Sequence, residues 1–167
     1  MLARLRDLLI IIAKVGVALS FAVMIAAVLV QVIGRTAGSS PVWTEELTRF
    51  ALLFMVAFGV GLSLRTGDLV NVDVVCDSLP APLPKVLRFV CAVIIVGFCA
   101  LLLPEAQKFF AIGAIQKSPA MGLRMDVMHA TVLIFLGLLM LFGLIRIIEM
   151  LTGADRPHHL AGDDEAR

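Results

Sequence analysis

The chain has 167 residues, 60% of them hydrophobic and 16% charged, and its mean hydropathy is +1.03. Soluble domains hold about 45–50% apolar and about 25% charged residues, so this composition excludes an ordinary soluble domain and a disordered chain alike. The 14 Lys and Arg are balanced by 13 Asp and Glu, a net charge of +1 that argues against a nucleic-acid binder, and the length fits one domain.

Four stretches carry no charged residue: 15–34, 50–64, 89–104 and 127–145. A helix crossing the ~30 Å hydrocarbon core needs roughly 20 residues. The first and last stretches are long enough outright. The middle two span if their ends lie in the interface. Four such runs cannot share one water-soluble core of this size. The expected fold is therefore an all-α membrane protein with four transmembrane helices, over about residues 8–33, 41–64, 84–103 and 126–151, and amphipathic interfacial segments. Residues 1–151 form the membrane domain and 152–167 a polar cytoplasmic tail.

Arg4 and Arg6 look like the basic start of a secretory signal. Lys14 interrupts the apolar run, however, and no small-residue cleavage pattern precedes Gly34. The reading is an uncleaved first helix whose Lys14 snorkels to the near interface. Nine of the 14 basic residues fall on the N-terminal stretch, the connection between helices two and three, and the C-terminal end. Five fall on the opposite side. The positive-inside rule then puts both termini in the cytoplasm. Cys76 falls in a cytoplasmic loop, where thiols stay reduced. Cys91 and Cys99 are eight residues apart on one helix, about 12 Å along its axis, and cannot pair.

Gly38-Ser39-Ser40 ends the first helix, and Ser40 followed by Pro41 suits the start of the second. The charge-free part of that helix covers only about 22 Å, so residues 43–49 must lie at the outer headgroup level. Trp43, Leu47, Phe50 and Phe54 share one face, with Trp43 as an interfacial anchor. Glu45 and Arg49 stand four apart in the favourable order. Glu45, Glu46 and Arg49 read either as solvated charges at a helix start or as contacts through which Glu46 or Arg49 pairs with a partner subunit or another helix. Ala57 with Gly61, and Gly59 with Ser63, are small pairs that admit another helix backbone.

The second helix leaves the membrane at Arg65-Thr66-Gly67, where Gly67 suits a C-terminal cap. Residues 69–79 read as a short amphipathic helix on the cytoplasmic surface, with Val72, Val75, Cys76 and Leu79 on one side and Asp73 and Asp77 elsewhere. Pro80, Pro82 and Pro84 end it. Pro104 is a kink point of the third helix, and the apolar residues 109–115 beyond it make either a long tilted helix or an outer surface segment. Residues 117–123 are a loop by composition.

None of the four charge-free runs holds an Asp or Glu, and no helix is interrupted as a substrate site would require. That argues against a small four-helix exporter. A membrane cytochrome needs paired His ligands at matching depths, but only His129 is near the membrane. A membrane enzyme needs convergent polar groups, whereas Cys76, Glu105 and His129 fall on different sides or depths.

Several motifs in this order carry a resemblance. Trp43-Thr-Glu-Glu-Leu-Thr-Arg49 enters a glycine-bearing helix; Arg65-x-Gly67, Val72-Asp73 and Pro80 follow; Ser118-Pro-Ala-Met-Gly-Leu123 precedes the last helix. From about Leu8 to Leu151 the chain resembles the small membrane subunit, DctQ-like, of tripartite ATP-independent periplasmic (TRAP) transporters. Leu69 stands where members often have His, and Arg124, Met125 and His129 stand where a Pro and an aromatic residue often open the last helix. The resemblance implies a scaffold subunit in a bacterial inner membrane, not an enzyme, with no cofactor or metal of its own. Its partners would be a large DctM-like membrane subunit, which carries substrate and sodium, a periplasmic substrate-binding protein that captures an organic acid, and membrane lipids. It points to Trp43, Glu45, Glu46, Arg49, Gly59, Gly61, Arg65, Gly67 and Asp73 as partner-facing residues. The same outline also fits a small assembly subunit of another multi-subunit membrane complex.

Overall fold

The computed structural model describes residues 2–39, 41–66 and 83–152. These form four helices: α1 (Leu2–Thr36), α2 (Trp43–Thr66), α3 (Leu83–Gly113) and α4 (Asp126–Leu151). All four are long and apolar enough to cross a membrane, and the protein is a multi-pass membrane protein. Their many Val and Ile residues have modest helix propensity. Hydrocarbon overrides it, because only a helix satisfies every backbone N–H and C=O within one segment.

The helices stand in a row. α1 packs on α2, α2 on α4 and α4 on α3, while α1 barely touches α4. The centre of the row is apolar: Val60 of α2, Cys99 and Ala106 of α3 and Leu136, Leu138, Leu139 and Phe142 of α4 belong to one buried cluster. Glycines set the spacing. A Cβ on Gly61 would fall 2.5 Å from the Phe142 ring, one on Gly16 2.5 Å from Phe58, and one on Gly143 2.7 Å from Val96. The small face expected at Ala57 and Gly61 is thus used inside the chain, where Ala57 is also buried. At Gly59 the neighbour, Val17, lies at an ordinary 3.9 Å.

The helix ends differ from expectation for local reasons. α1 runs on to Thr36 and closes with Gly38 at φ +78°, Ser39 N–H reaching the Gly34 carbonyl at 2.8 Å. This six-to-one bond across a left-handed glycine is a Schellman closure. α2 starts at Trp43 rather than Pro41, since the Pro41 carbonyl is taken by Thr44, from its hydroxyl at 2.7 Å and its N–H at 3.3 Å. Ser40 lies outside the described residues. α3 does not stop at Leu103; it continues through Pro104 to Gly113, the long-helix alternative. Proline removes one backbone bond, but Ala106 beyond it is buried in the core, so packing holds the added turns. The surface helix expected at 69–79, Gly67, Asp73, Cys76 and the polar tail from residue 153 also fall outside the described residues.

At the end of the row holding the N-terminus, Arg6 Nη1 meets Glu149 Oε1 at 3.0 Å, joining α1 to α4. Both side chains are about one-third exposed, so the pair orients the helix ends more than it stabilises them.

Candidate functional site

The residues singled out on α2 gather at the opposite end of the row, around the loop between α3 and α4. That loop is tied to itself. Ser118 N–H bonds the Leu123 carbonyl at 2.8 Å, Gly122 N–H the Ser118 carbonyl at 3.0 Å, and Met125 N–H the Gln116 carbonyl at 3.0 Å. Gly122 sits at φ +67°, a left-handed position that glycine takes without strain.

Glu46, in the first turn of α2, reaches into this loop. Its carboxylate accepts the Ser118 hydroxyl, the Ala120 N–H at 3.2 Å and the Met121 N–H at 3.1 Å. Ser118 is buried, 3% exposed, although 72 residues separate it from Glu46. Glu46 is therefore paired within the chain, to a loop and not to another helix. A carboxylate accepting backbone donors at a helix N-terminus is doubly favoured, since the same first turn carries the positive end of the helix dipole. The sequence shows the Ser-Pro-Ala-Met-Gly segment as a loop but contains nothing that pairs it with Glu46.

Glu45 and Arg49 stay exposed. The ion pairs among the described residues do not include Glu45 with Arg49. With Val42, Glu46, Pro119 and Ala120 they line a shallow cleft open to the outside. Trp43 is 41% exposed beside it. Such a surface can meet another protein. Thr44, fully buried, and Thr48 turn their hydroxyls onto backbone carbonyls one turn earlier. Gly59 and Gly61 lie deeper in α2, away from the cleft. Arg65 belongs to α2, but its side chain is outside the described residues, as are Gly67 and Asp73. The structure thus brings Trp43, Glu45, Glu46 and Arg49 together and separates them from the glycines.

His129, weighed above as a haem ligand, has a packing role. Its Nδ1–H donates to the Phe109 carbonyl at 2.7 Å, and its ring stacks on Phe109 with centroids 3.7 Å apart. It clasps the last turns of α3 to the first turn of α4. We expect His129→Ala to destabilise the detergent-solubilised protein by about 2 kcal/mol, through a lost part-buried hydrogen bond and a lost ring stack. His129→Phe, which restores a ring without the donor, should recover part of it. Thermal unfolding of the two variants beside the parent checks this.

Residues 24–153 match the family model described as Tripartite ATP-independent periplasmic transporters, DctQ component. A comparison with curated proteins finds no match. The matched stretch covers well over half of the chain and takes in the Trp43–Arg49 segment, the Glu46 contacts and all four helices in whole or part. The chain belongs to the DctQ family, the small membrane component of TRAP transporters, a family of transport components and not of enzymes.

Proposed function

We propose that this chain is the non-carrying scaffold subunit of a sodium-coupled, binding-protein-dependent transporter for an organic acid. It pairs with a large DctM-like membrane subunit, which holds the substrate and sodium sites. A periplasmic binding protein delivers the acid to the pair. Both termini lie in the cytoplasm of a bacterial inner membrane, as the basic residues favour, and the cleft around Glu45 and Arg49 faces the periplasm.

The observation that carries this reading is the apolar seam between α2 and α4. Val60 of α2 and Leu138 and Phe142 of α4 line it, and neither helix is broken at that depth. A carrier must hold a polar substrate and its coupling ion near the bilayer centre, on unwound backbone or on polar side chains facing a cavity. The seam offers neither, so the chemistry of transport belongs to a partner.

Reconstitution tests the proposal. Liposomes holding this chain, the large subunit and the binding protein should take up a carboxylate under an inward sodium gradient. Liposomes holding this chain alone should show background uptake. Sodium-driven uptake by the chain alone would overturn the scaffold reading, and full uptake without it would remove its role.

A further inference from the structure

Close contacts fix the heights of the four helices against one another. Gly59 of α2 faces Val17 of α1, and Gly61 faces Leu138 of α4. Gly143 and Asp126 of α4 face Val96 and Gly113 of α3. The Arg6–Glu149 pair agrees with this register. Charged residues bound the apolar run of each helix. At the inner end, which holds the N-terminus, they are Lys14, Arg65, Arg146 and Arg88, on α1, α2, α4 and α3 in the order of the row. At the outer end they are Arg35, Arg49, Asp126 and Glu105 in the same order.

Were the helices upright in a bilayer, each set of charges would share one height. Neither set does. On the common register, at the rise of an α-helix, the inner boundary steps inward from Lys14 to Arg88 by roughly 19 Å, and the outer boundary from Arg35 to Glu105 by roughly 25 Å. The two central helices fall between. A band that steps the same way at both ends is a bilayer crossing the row obliquely. Side-chain direction bears on the two exposed end helices. Helical side chains lean toward the N-terminus of their own helix. Lys14 therefore leans toward the inner surface and snorkels to it, which shortens the inner step. Glu105 and Lys108 lean away from the outer surface, so an upright α3 would hold both in hydrocarbon. With neighbouring axes about 9 Å apart, the steps correspond to a tilt of roughly 30°, within the range of transmembrane helices.

We infer that the row stands tilted in the membrane, with α1 displaced toward the outer surface and α3 toward the inner one. The Glu105–Lys108 pair, at 2.7 Å, then sits at the outer headgroup boundary, where its exposure costs nothing. The helix ends beyond the bounding charges lie in opposite headgroup layers. Leu8 and Ile11 of α1 rest on the inner layer, Phe109 and Ile112 of α3 on the outer, and all four are exposed. The partner of both segments is the lipid surface, which takes apolar side chains at this depth while the charges beside them stay in water. The tilt is the same whichever surface is cytoplasmic.

Spin-label accessibility in liposomes tests this, with Cys76, Cys91 and Cys99 replaced by alanine and one labelled cysteine introduced at a time. Ile25 of α1 and Ile112 of α3 are level on the register, as are Leu8 of α1 and Ile94 of α3, and all four are exposed. The label replacing Ile112 should collide with a water-soluble nickel chelate several-fold more often than the label replacing Ile25. The label replacing Leu8 should do so several-fold more often than the label replacing Ile94, with oxygen collisions in the reverse order. Equal values within either pair would overturn the tilt. Polarised infrared dichroism of the unmodified chain in oriented bilayers reads the mean helix tilt with no substitution at all. A mean near 30° is expected, and one below about 15° would also overturn the inference. Glu105→Leu with Lys108→Leu should narrow the difference between the Ile25 and Ile112 labels, and an unchanged difference would overturn the charges as its cause.

Discussion

Glu46→Ala should lower the thermal midpoint of the solubilised protein by several degrees and open the α3–α4 loop to trypsin at Lys117 and Arg124, while Glu45→Ala and Arg49→Ala should leave both properties unchanged. The three residues lie within one turn of each other, so the contrast comes from what each touches. Glu46 collects a hydroxyl and two backbone N–H donors from the loop. Removing it strands the hydroxyl hydrogen of buried Ser118 and loosens the Ala120 and Met121 amides together. Glu45 and Arg49 are exposed, and exposed charges contribute little. Glu46→Gln should fall between the two, because a carboxamide keeps one acceptor oxygen but presents an NH2 where the carboxylate accepted. Differential scanning fluorimetry and limited proteolysis measure both effects. Identical behaviour of Glu46→Ala and Glu45→Ala would show that the latch carries no stability. The expected consequence for function is indirect: the cleft lined by Val42, Arg49, Pro119 and Ala120 keeps its shape only while the loop is held against α2.

The other large effect is expected at Gly113. A Cβ there would lie 2.5 Å from His129 Nδ1, 2.8 Å from the Asp126 nitrogen and 2.9 Å from the Asp126 Cα. The imidazole could swing aside, but the backbone of the first turn of α4 could not. Gly113→Ala should therefore destabilise by about 2–3 kcal/mol, the cost of overpacking. Combining it with His129→Ala should not rescue it, since the Asp126 contacts remain. At Gly97 and Gly137 an added methyl group would meet nothing within 4 Å, so alanine there should be neutral or mildly stabilising. Equal midpoints for Gly113→Ala and Gly97→Ala would mean that the outer ends of α3 and α4 can part at little cost.

Much of the architecture was written in the local sequence. Charge-free runs of near-spanning length report a helix whatever its neighbours, because hydrocarbon leaves the backbone no other way to satisfy itself. Hence the four spans follow from counting residues, and the order of short motifs suffices to suggest the DctQ family. Helix ends were less legible. Pro104 and the apolar residues beyond it left open whether the third helix runs on; it does, because the burial of Ala106 outweighs one lost backbone bond and burial is not a local property. The pairings were hidden altogether. That Glu46 belongs to Ser118, His129 to the Phe109 carbonyl and Arg6 to Glu149 depends on the register between helices far apart in the chain. The same holds for the row α1–α2–α4–α3, which the sequence order does not suggest. Hydrophobic pattern fixes which side of a helix is apolar, but all four helices are apolar nearly all round. Only close packing at Gly61, Gly113 and Gly143 decides which sides meet, and so which side of α3 is left facing outward with an ion pair in its middle.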